Sequence, residues 1–526
     1  MSANHVHQLP GLSYEPLTPT SFLARSAAVF GPRLAVVDGG LSLTYAELWE
    51  RARRLAGALA AAGVRPGDRV AVLAANGHLL LEATFGVPAA GAVLVPMNIR
   101  LSARELAYIL GHAEVSVLLH DDDLAELAQE AARGSGAAPR LVPATGYEAL
   151  VAAAEPLLVP VADELSPLSI NYTSGTTGRP KGVVYHHRGA YLQALAMALH
   201  TRLETASSYL WTLPMFHCHG WCFPWAVTLA GARHVCLPRV EPGEAWRLIR
   251  AHRVTHLCGA PTVLTSLLAH RDAPTAALDP RLLACVGGAP PSPALLGRAL
   301  QAGIDVIHLY GLTETYGPAV ICQPQPEWRG LDVEESAALT ARQGVGNVIA
   351  QRIRVVAEDG GDVPADAATV GEIAVRGNDV MVGYHRDPAA TEKAAPDGWF
   401  RTGDLGVVHP DGYVQVVDRA KDVIISGGEN IASVEVENAL VSHPAVAEAA
   451  VVARPHPHWG EEPVAYVSLA AGSAATEAEL IEHVRARLAH FKAPKAVFFG
   501  ELPKTSTGKI QKNVLRERAA SPGHPG

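Results

Sequence analysis

The sequence predicts an α/β protein in two unequal parts. A large N-terminal domain, residues 1–419, combines doubly wound sheets with a small antiparallel β-barrel, and a smaller α+β domain follows over residues 420–526. Three patterns carry this prediction. In the first third, amphipathic helical runs alternate with short apolar strands, the rhythm of parallel sheets covered by helices. From about residue 325 onward, short alternating segments are separated by Asp-Gly and Gly-Gly turns, as in hairpins. Beyond residue 420, helices and strands are again interleaved, now in a compact stretch. A chain of 526 residues is also longer than one core ordinarily organises. Its 48% apolar and 18% charged residues suit large buried sheets rather than a disordered chain.

The elements follow in order. Thr44 and Glu47 form a capping box ahead of "YAELWERARRLAGALAAAG", whose Leu48, Leu55 and Leu59 share one face and whose Gly63 is the stop. The strand "RVAVLA" comes next. "LLLEATFGVPAAGAVLVP" is the most apolar stretch, but Glu82, Gly86, Pro88 and Gly91 interrupt it. It therefore reads as a buried helix and a strand, not a membrane span. Ser102 and Glu105 repeat the capping device before "ARELAYILGHA", and "VSVLLH" is the following strand. Parallel sheets of this kind bind ligands at the carboxyl ends of their strands. "RIRVVAEDGGDVP", "GEIAVRG" and "GYVQVVDR" are the antiparallel segments. The last domain reads as a helix near "VEVENALVSH", strands "AEAAVVARP" and "PVAYVSLA", a helix capped by Thr476 and Glu479, and a strand near "KAVFFG". The joint lies near "DRAKDVIISGGEN", and the tail "AASPGHPG" is expected to be disordered.

A formal net charge of −9 argues against a general nucleic-acid binder, while leaving room for a local basic groove. The cysteines, at 218, 222, 236, 258, 285 and 322, are confined to the middle of the chain. A disulfide framework would be spread differently, so reduced thiols in a cytoplasm are expected. The start "MSANHVHQLPGLSYEP" has no basic region followed by an apolar run, so no signal peptide is expected.

The chemistry begins at "NYTSGTTGRPKGVVYHH", residues 171–187. Backbone amides from Gly175 to Gly178, hydroxyls of Thr173, Ser174, Thr176 and Thr177, and the ammonium of Lys181 could form an anion-binding nest. The Walker spacing is absent, and Pro180 disfavours helical geometry at Arg179. A polar hairpin turn would look the same. Further along stand "GGAP" (287–290), "HLYGLTET" (308–315), "RTGDLG" with Asp404, "DRAKD" with Arg419 and Lys421, and "LPKTSTGKI" with Lys509. In this order and at these separations the segments resemble the core motifs of the adenylate-forming superfamily, which includes acyl-CoA synthetases, luciferases and the adenylation domains of peptide synthetases. The resemblance runs from about residue 20 to 515, nearly the whole chain.

The resemblance implies an acid–CoA ligase. ATP and a carboxylate give an acyl-adenylate and pyrophosphate, and coenzyme A then displaces AMP. Ser174, Gly175, Thr176, Thr177, Gly178 and Lys181 would hold the β- and γ-phosphates, with Thr173 and Glu314 placing Mg²⁺. Gly288, Ala289 and Pro290 would give the adenine a backbone wall, and Tyr310 a ring to stack on. His308, Leu309, Gly311 and Thr313 flank these contacts in the same motif. Asp404, with two acceptor oxygens, suits the ribose hydroxyls, and Arg419 adds a ribose or phosphate contact. Lys509 would reach from the terminal domain to the carboxylate and α-phosphate. The resemblance makes that domain a mobile lid turning at Lys421, after which Gly427 and Gly428 would line a thiol tunnel. A plain strand turn reads those two glycines almost as well.

In "PMFHCHGWCFPW", residues 214–225, His217, Cys218, His219 and Cys222 invite a metal reading, as do His234/Cys236 and His256/Cys258. Tight ligand pairs such as Cys-x2-Cys are absent, and a spacing of two more simply places neighbours on one face of a sheet. By resemblance, His217 borders the acyl pocket and Trp221 lies near the nucleotide. The stretch has no carboxylate to hold an amino group, which favours a plain carboxylic acid with an apolar tail, and the chain resembles medium- or long-chain fatty acyl-CoA synthetases and related aryl-acid ligases. Transfer of the acyl group to a carrier protein's pantetheine, or a catalytically silent scaffold, are the alternatives. Some members pair through their large domains, so a homodimer stays open. Ile425 and Asn430 stand where some fatty acyl relatives have a lysine and a tryptophan, and no role is carried to either.

Overall fold

The computed structural model describes residues 15–173, 179–276, 278–505 and 509–520. Among these residues the strands form four sheets. The centre of a seven-stranded sheet is parallel: Arg69–Leu73 lies between Val93–Pro96 and Val115–His120, with Arg140–Pro143 outside the latter. Beyond Val93–Pro96 come the parallel Pro167–Thr173 and then Lys181–His186 and Gly383–Tyr384, both antiparallel to their neighbours. The helices covering this sheet start where the sequence predicts. Thr44 and Glu47 close a capping box on Tyr45–Ala61, and Ser102 and Glu105 close one on Ala103–His112. The helix His78–Ala89 is buried on nearly every side, as its unbroken apolar run requires.

A nine-stranded sheet holds parallel strands Ile304–Leu312, Leu282–Val286, His256–Gly259, Ser208–Leu210, Arg233–Val235 and Leu34–Asp38, with antiparallel strands at both edges. The two large sheets face a common core, where Val72, Leu94 and Tyr185 of one meet Tyr209, Trp211 and Leu309 of the other. Each such side chain, fully buried, stabilises by about 1.5–3 kcal/mol. Both sheets are thus mixed, with parallel centres and antiparallel margins.

The alternating segments form a four-stranded antiparallel sheet in chain order: Ala350–Val356, Gly371–Gly377, Phe400–Val408 and Val414–Arg419. Ile424 opens the last sheet, in which the hairpin Ile424–Ser426/Glu429–Ile431 joins Gly460–Leu469, Val446–His456 and Val497–Phe499. One expectation needs correcting here. Ala519 and Ala520, assigned to a disordered tail, close the helix Lys512–Ala520, because Leu515 and Ala519 lie on its buried stripe. Residues 521–526 of that tail lie outside the described residues. Among the described residues, no helix is long and apolar enough to cross a membrane.

Candidate active site

Thr173 and Lys181 face each other as the last paired residues of an antiparallel hairpin. Ser174, Gly175, Thr176, Thr177 and Gly178 lie outside the described residues. From the hairpin mouth, Lys181 extends its ammonium to 4.7 Å from the centre of the Tyr384 ring. The Tyr384 hydroxyl donates to Glu314 Oε1 at 2.8 Å. Burial, then the Glu314 charge, pushes this phenol well above its ordinary pKa, so it remains a donor. Glu314 sits in the short turn Thr313–Thr315 that ends Ile304–Leu312. That turn is pinned by Thr315, whose hydroxyl accepts from Leu312 N at 2.9 Å and donates to Gly317 O at 2.7 Å.

A second group of charges lies at the antiparallel sheet. Asp404 and Arg419 are direct partners across Phe400–Val408 and Val414–Arg419. Arg419 Nε lies 3.1 Å from Asp404 Oδ1, and the Tyr310 hydroxyl donates to Oδ2 at 2.7 Å. Each carboxylate oxygen keeps a lone pair after these contacts, so a vicinal diol could still be accepted. The Lys509 backbone is tied to Thr505: Thr505 N donates to Lys509 O at 2.7 Å, and Lys509 N to Thr505 Oγ1 at 3.1 Å. Burial, then the Arg419 charge, lowers the Lys509 pKa to about 8, with Asp404 and Asp422 acting in the opposite sense. Burial and Arg419 also lower that of Lys421. Burial, and then the Lys509 charge, bring the His217 pKa down to about 4. The Lys509 ammonium is thus within electrostatic reach of both the Asp404 carboxylate and a neutral imidazole.

The backbone beside His217 is unusual. Cys218, His219, Gly220, Trp221 and Cys222 have φ of 44°, 34°, 53°, 53° and 64°, one turn of left-handed helix. Each non-glycine residue in such a turn costs about 1–2 kcal/mol. The turn buries Trp221, Cys222 and Phe223, which offsets that cost. It also lays the Trp221 indole between two strand ends: a Cβ at Gly287 or Gly317 would come within 3.0 or 3.1 Å of Trp221. Cys218 Sγ lies 3.1 Å from Thr313 Oγ1, and burial pushes its pKa up to about 12, so it stays a thiol. The other histidines of this region have partners inside the fold. His219 Nε2 meets Thr84 Oγ1 at 2.8 Å, His234 lies between Trp211 and Thr228, and His256 Nε2 bonds Thr201 O at 2.8 Å.

Not every expected contact converges on this centre. His308 is buried with Nδ1 on the Arg342 carbonyl at 2.9 Å, and Leu309 belongs to the main core. Gly311 has a packing reason of its own, since a Cβ there would lie 1.9 Å from Gly317 O. Gly427 and Gly428, with φ of 61° and 87°, make the two-residue turn of a hairpin. Gly288, with φ of 83°, is exposed beside Ala289 and Pro290 just past Leu282–Val286. Sequence reasoning missed Tyr384 and the contact of Cys218 with Thr313. Tyr384 belongs to a two-residue strand some two hundred positions from Lys181, a pairing that no local pattern announces.

Residues 23–385 match the family model described as AMP-binding enzyme, and residues 435–509 match AMP-binding enzyme C-terminal domain. A peroxisomal acetate/butyrate–CoA ligase of Arabidopsis thaliana is 42% identical over 545 residues, covering 97% of this chain and 96% of that protein. A 2-methylpropanoate–CoA ligase of Humulus lupulus is 42% identical over 539 residues, covering 97% and 96%. Among solved structures, an anthranilate CoA ligase in complex with anthranoyl-AMP superposes with a TM-score of 0.88 at 25% identity, covering 97% of this chain and 98% of that one.

Proposed function

The chain belongs to the AMP-binding enzyme family and is an AMP-forming acid–CoA ligase, and from that premise we propose that it activates a compact monocarboxylic acid, short aliphatic or aryl, with Lys509, His217, Asp404, Lys181 and Glu314 as its working groups. The observation that carries the site is Asp404 held by Arg419 at 3.1 Å and by the Tyr310 hydroxyl at 2.7 Å, with the Lys509 ammonium in electrostatic reach. Asp404 accepts the ribose hydroxyls, and Arg419 holds its carboxylate in place. The acid lies beside neutral His217, which adds no competing charge. A carboxylate oxygen attacks the α-phosphorus, forming one P–O bond as the bond to pyrophosphate breaks. Two anions must meet in this step, and Lys509 stabilises the charge that builds between them. The thiolate of coenzyme A then attacks the acyl carbon and AMP leaves.

Lys181 faces the outer phosphates from the mouth of its hairpin. Glu314, oriented by Tyr384, and the Thr173 hydroxyl are hard oxygen donors of the type that suits Mg²⁺. When bound, that ion supplies positive charge to the phosphate oxygens. The acid is read as compact from the relatives, whose named acids are acetate, butyrate, 2-methylpropanoate and anthranilate. Six buried free thiols favour a reducing compartment such as the cytoplasm, and location of the tagged full chain in cells tests this against the peroxisome, where the Arabidopsis thaliana relative resides.

Pyrophosphate release from ATP and Mg²⁺ tests the reading, with acids from acetate to palmitate plus benzoate and cinnamate, each with and without coenzyme A. Release that depends on acetate, butyrate or benzoate, with coenzyme A raising turnover and the thioester appearing, is the expected result. Preference for palmitate would overturn the compact acid. Acid-dependent release indifferent to coenzyme A would favour a carrier protein as acceptor.

A further inference from the structure

Tyr384 stands between a cation and an anion. Lys181 Nζ lies 4.7 Å from its ring centre on one side, and its hydroxyl bonds Glu314 Oε1 at 2.8 Å on the other. Its backbone is fixed from several directions. Gly383–Tyr384 pairs with Lys181–His186, placing Tyr384 opposite Val183. His385 N donates to Gly182 O at 2.7 Å, and Met381 N to Glu314 O at 2.8 Å, which ties the segment to both elements it separates. Tyr384 N donates to Thr391 Oγ1 at 2.9 Å, and Thr391 Oγ1 donates onward to Asp387 O at 2.9 Å. Gly383 has no room for a side chain, since a Cβ would lie 2.8 Å from Thr391 Cγ2.

An exposed ammonium and a partly buried carboxylate that flank one side chain could otherwise pair, and each would then be withheld from a ligand. A neutral ring gives the cation a weak, exchangeable partner, and a neutral hydroxyl does the same for one carboxylate oxygen. We propose that Tyr384 is a positioning residue that keeps Lys181 and Glu314 apart and oriented, so that one is free for the phosphates of ATP and the other for a divalent cation. This rests on the roles given above to Lys181 and Glu314.

The test compares Tyr384→Phe and Tyr384→Leu in the full chain. It measures ATP binding by calorimetry with and without Mg²⁺, the Mg²⁺ concentration giving half-maximal pyrophosphate release, and the melting temperature. Tyr384→Phe keeps the ring but loses the donor to Glu314. It should raise the Mg²⁺ requirement about tenfold or more, the usual effect of removing an outer-shell partner, and leave metal-free ATP affinity unchanged. Tyr384→Leu lets Lys181 and Glu314 pair, so metal-free ATP affinity should fall as well. Adding Glu314→Gln to Tyr384→Leu should restore that affinity, a rescue that no purely structural role of the ring predicts. Folded Tyr384 variants with wild-type ATP affinity and Mg²⁺ dependence would overturn the proposal, as would failure of the rescue. Lys181→Ala and Glu314→Gln, measured alone, separate the two levels. If neither changes ATP affinity or Mg²⁺ dependence, the underlying roles fall and the positioning role falls with them.

Discussion

Lys509 is a buried ammonium whose pKa of about 8 lies well below that of a free lysine, because burial and Arg419 both disfavour its charge. The proton is therefore held at neutral pH and lost as pH rises through 8. Acid-dependent pyrophosphate exchange should accordingly decline by about tenfold per pH unit above that point. Lys509→Ala should cut adenylation by about a hundredfold to a thousandfold while sparing thioester formation from supplied acyl-AMP. Equal loss in both half-reactions would remove Lys509 from the role proposed for it. Asp379 shows the opposite shift. It is fully buried, neither carboxylate oxygen has a hydrogen-bond partner among the described residues, and burial raises its pKa to about 7. The folded state thus holds a proton that the unfolded chain releases near 3.8, so stability falls as pH rises from about 4 to 7. Asp379→Asn should leave the melting temperature nearly unchanged at pH 4 and raise it at pH 8, where the gain in stability is on the order of a few kcal/mol. Calorimetry at both pH values decides this, and equal effects at the two would refute the assigned titration. Asp379 carries no motif, so its burial became apparent only in the fold.

The element that shapes the site most is the pair of strands Ile304–Leu312 and Gly317–Ile321, with the short turn between them. Their close approach requires glycine at 311, where a side chain would strike the Gly317 carbonyl, and at 317, where φ is 94°. Gly311→Ala should therefore destabilise the protein by about 1–3 kcal/mol or more, the usual cost of forcing atoms into a packed site. It should also disturb Glu314 and Tyr310, which flank that glycine. A variant with weakened ATP binding but an unchanged melting temperature would instead make Gly311 a ligand contact. The sequence marked this stretch as functional without separating the two reasons for a glycine. The left-handed turn Cys218–Cys222 was hidden altogether. Four of its five residues have side chains that ordinarily avoid this conformation, and only the space between Gly287 and Gly317 explains why the backbone adopts it.

At the scale of the whole molecule, the two parts are joined by a polar network at Asp418. Ser433 donates to Asp418 Oδ2 from both N and Oγ, at 2.5 and 2.7 Å. Lys512 reaches Ser433 Oγ at 2.6 Å and pairs with Glu437 at 2.7 Å, and Arg516 pairs with Asp422. Lys512→Ala would leave Glu437 without its cation in a mostly buried site, at a cost of about 3 kcal/mol. Calorimetry should show this as an earlier transition, with faster amide exchange confined to residues 424–520. Unchanged exchange there would mean that the network contributes little. The sequence by itself determined the alternation of helices and strands, the capping boxes at Thr44, Ser102 and Thr476, the change of pattern after the first sheets, and the order of motifs from Thr173 to Lys509. These are local properties of a few adjacent residues, or separations along one chain. Only the tertiary structure decided that Asp404 meets Arg419 and Tyr310, that Tyr384 touches both Lys181 and Glu314, and that His308 belongs to the core. Those facts depend on which distant strands pair and on how much water burial removes, and neither quantity is written in any short stretch of residues.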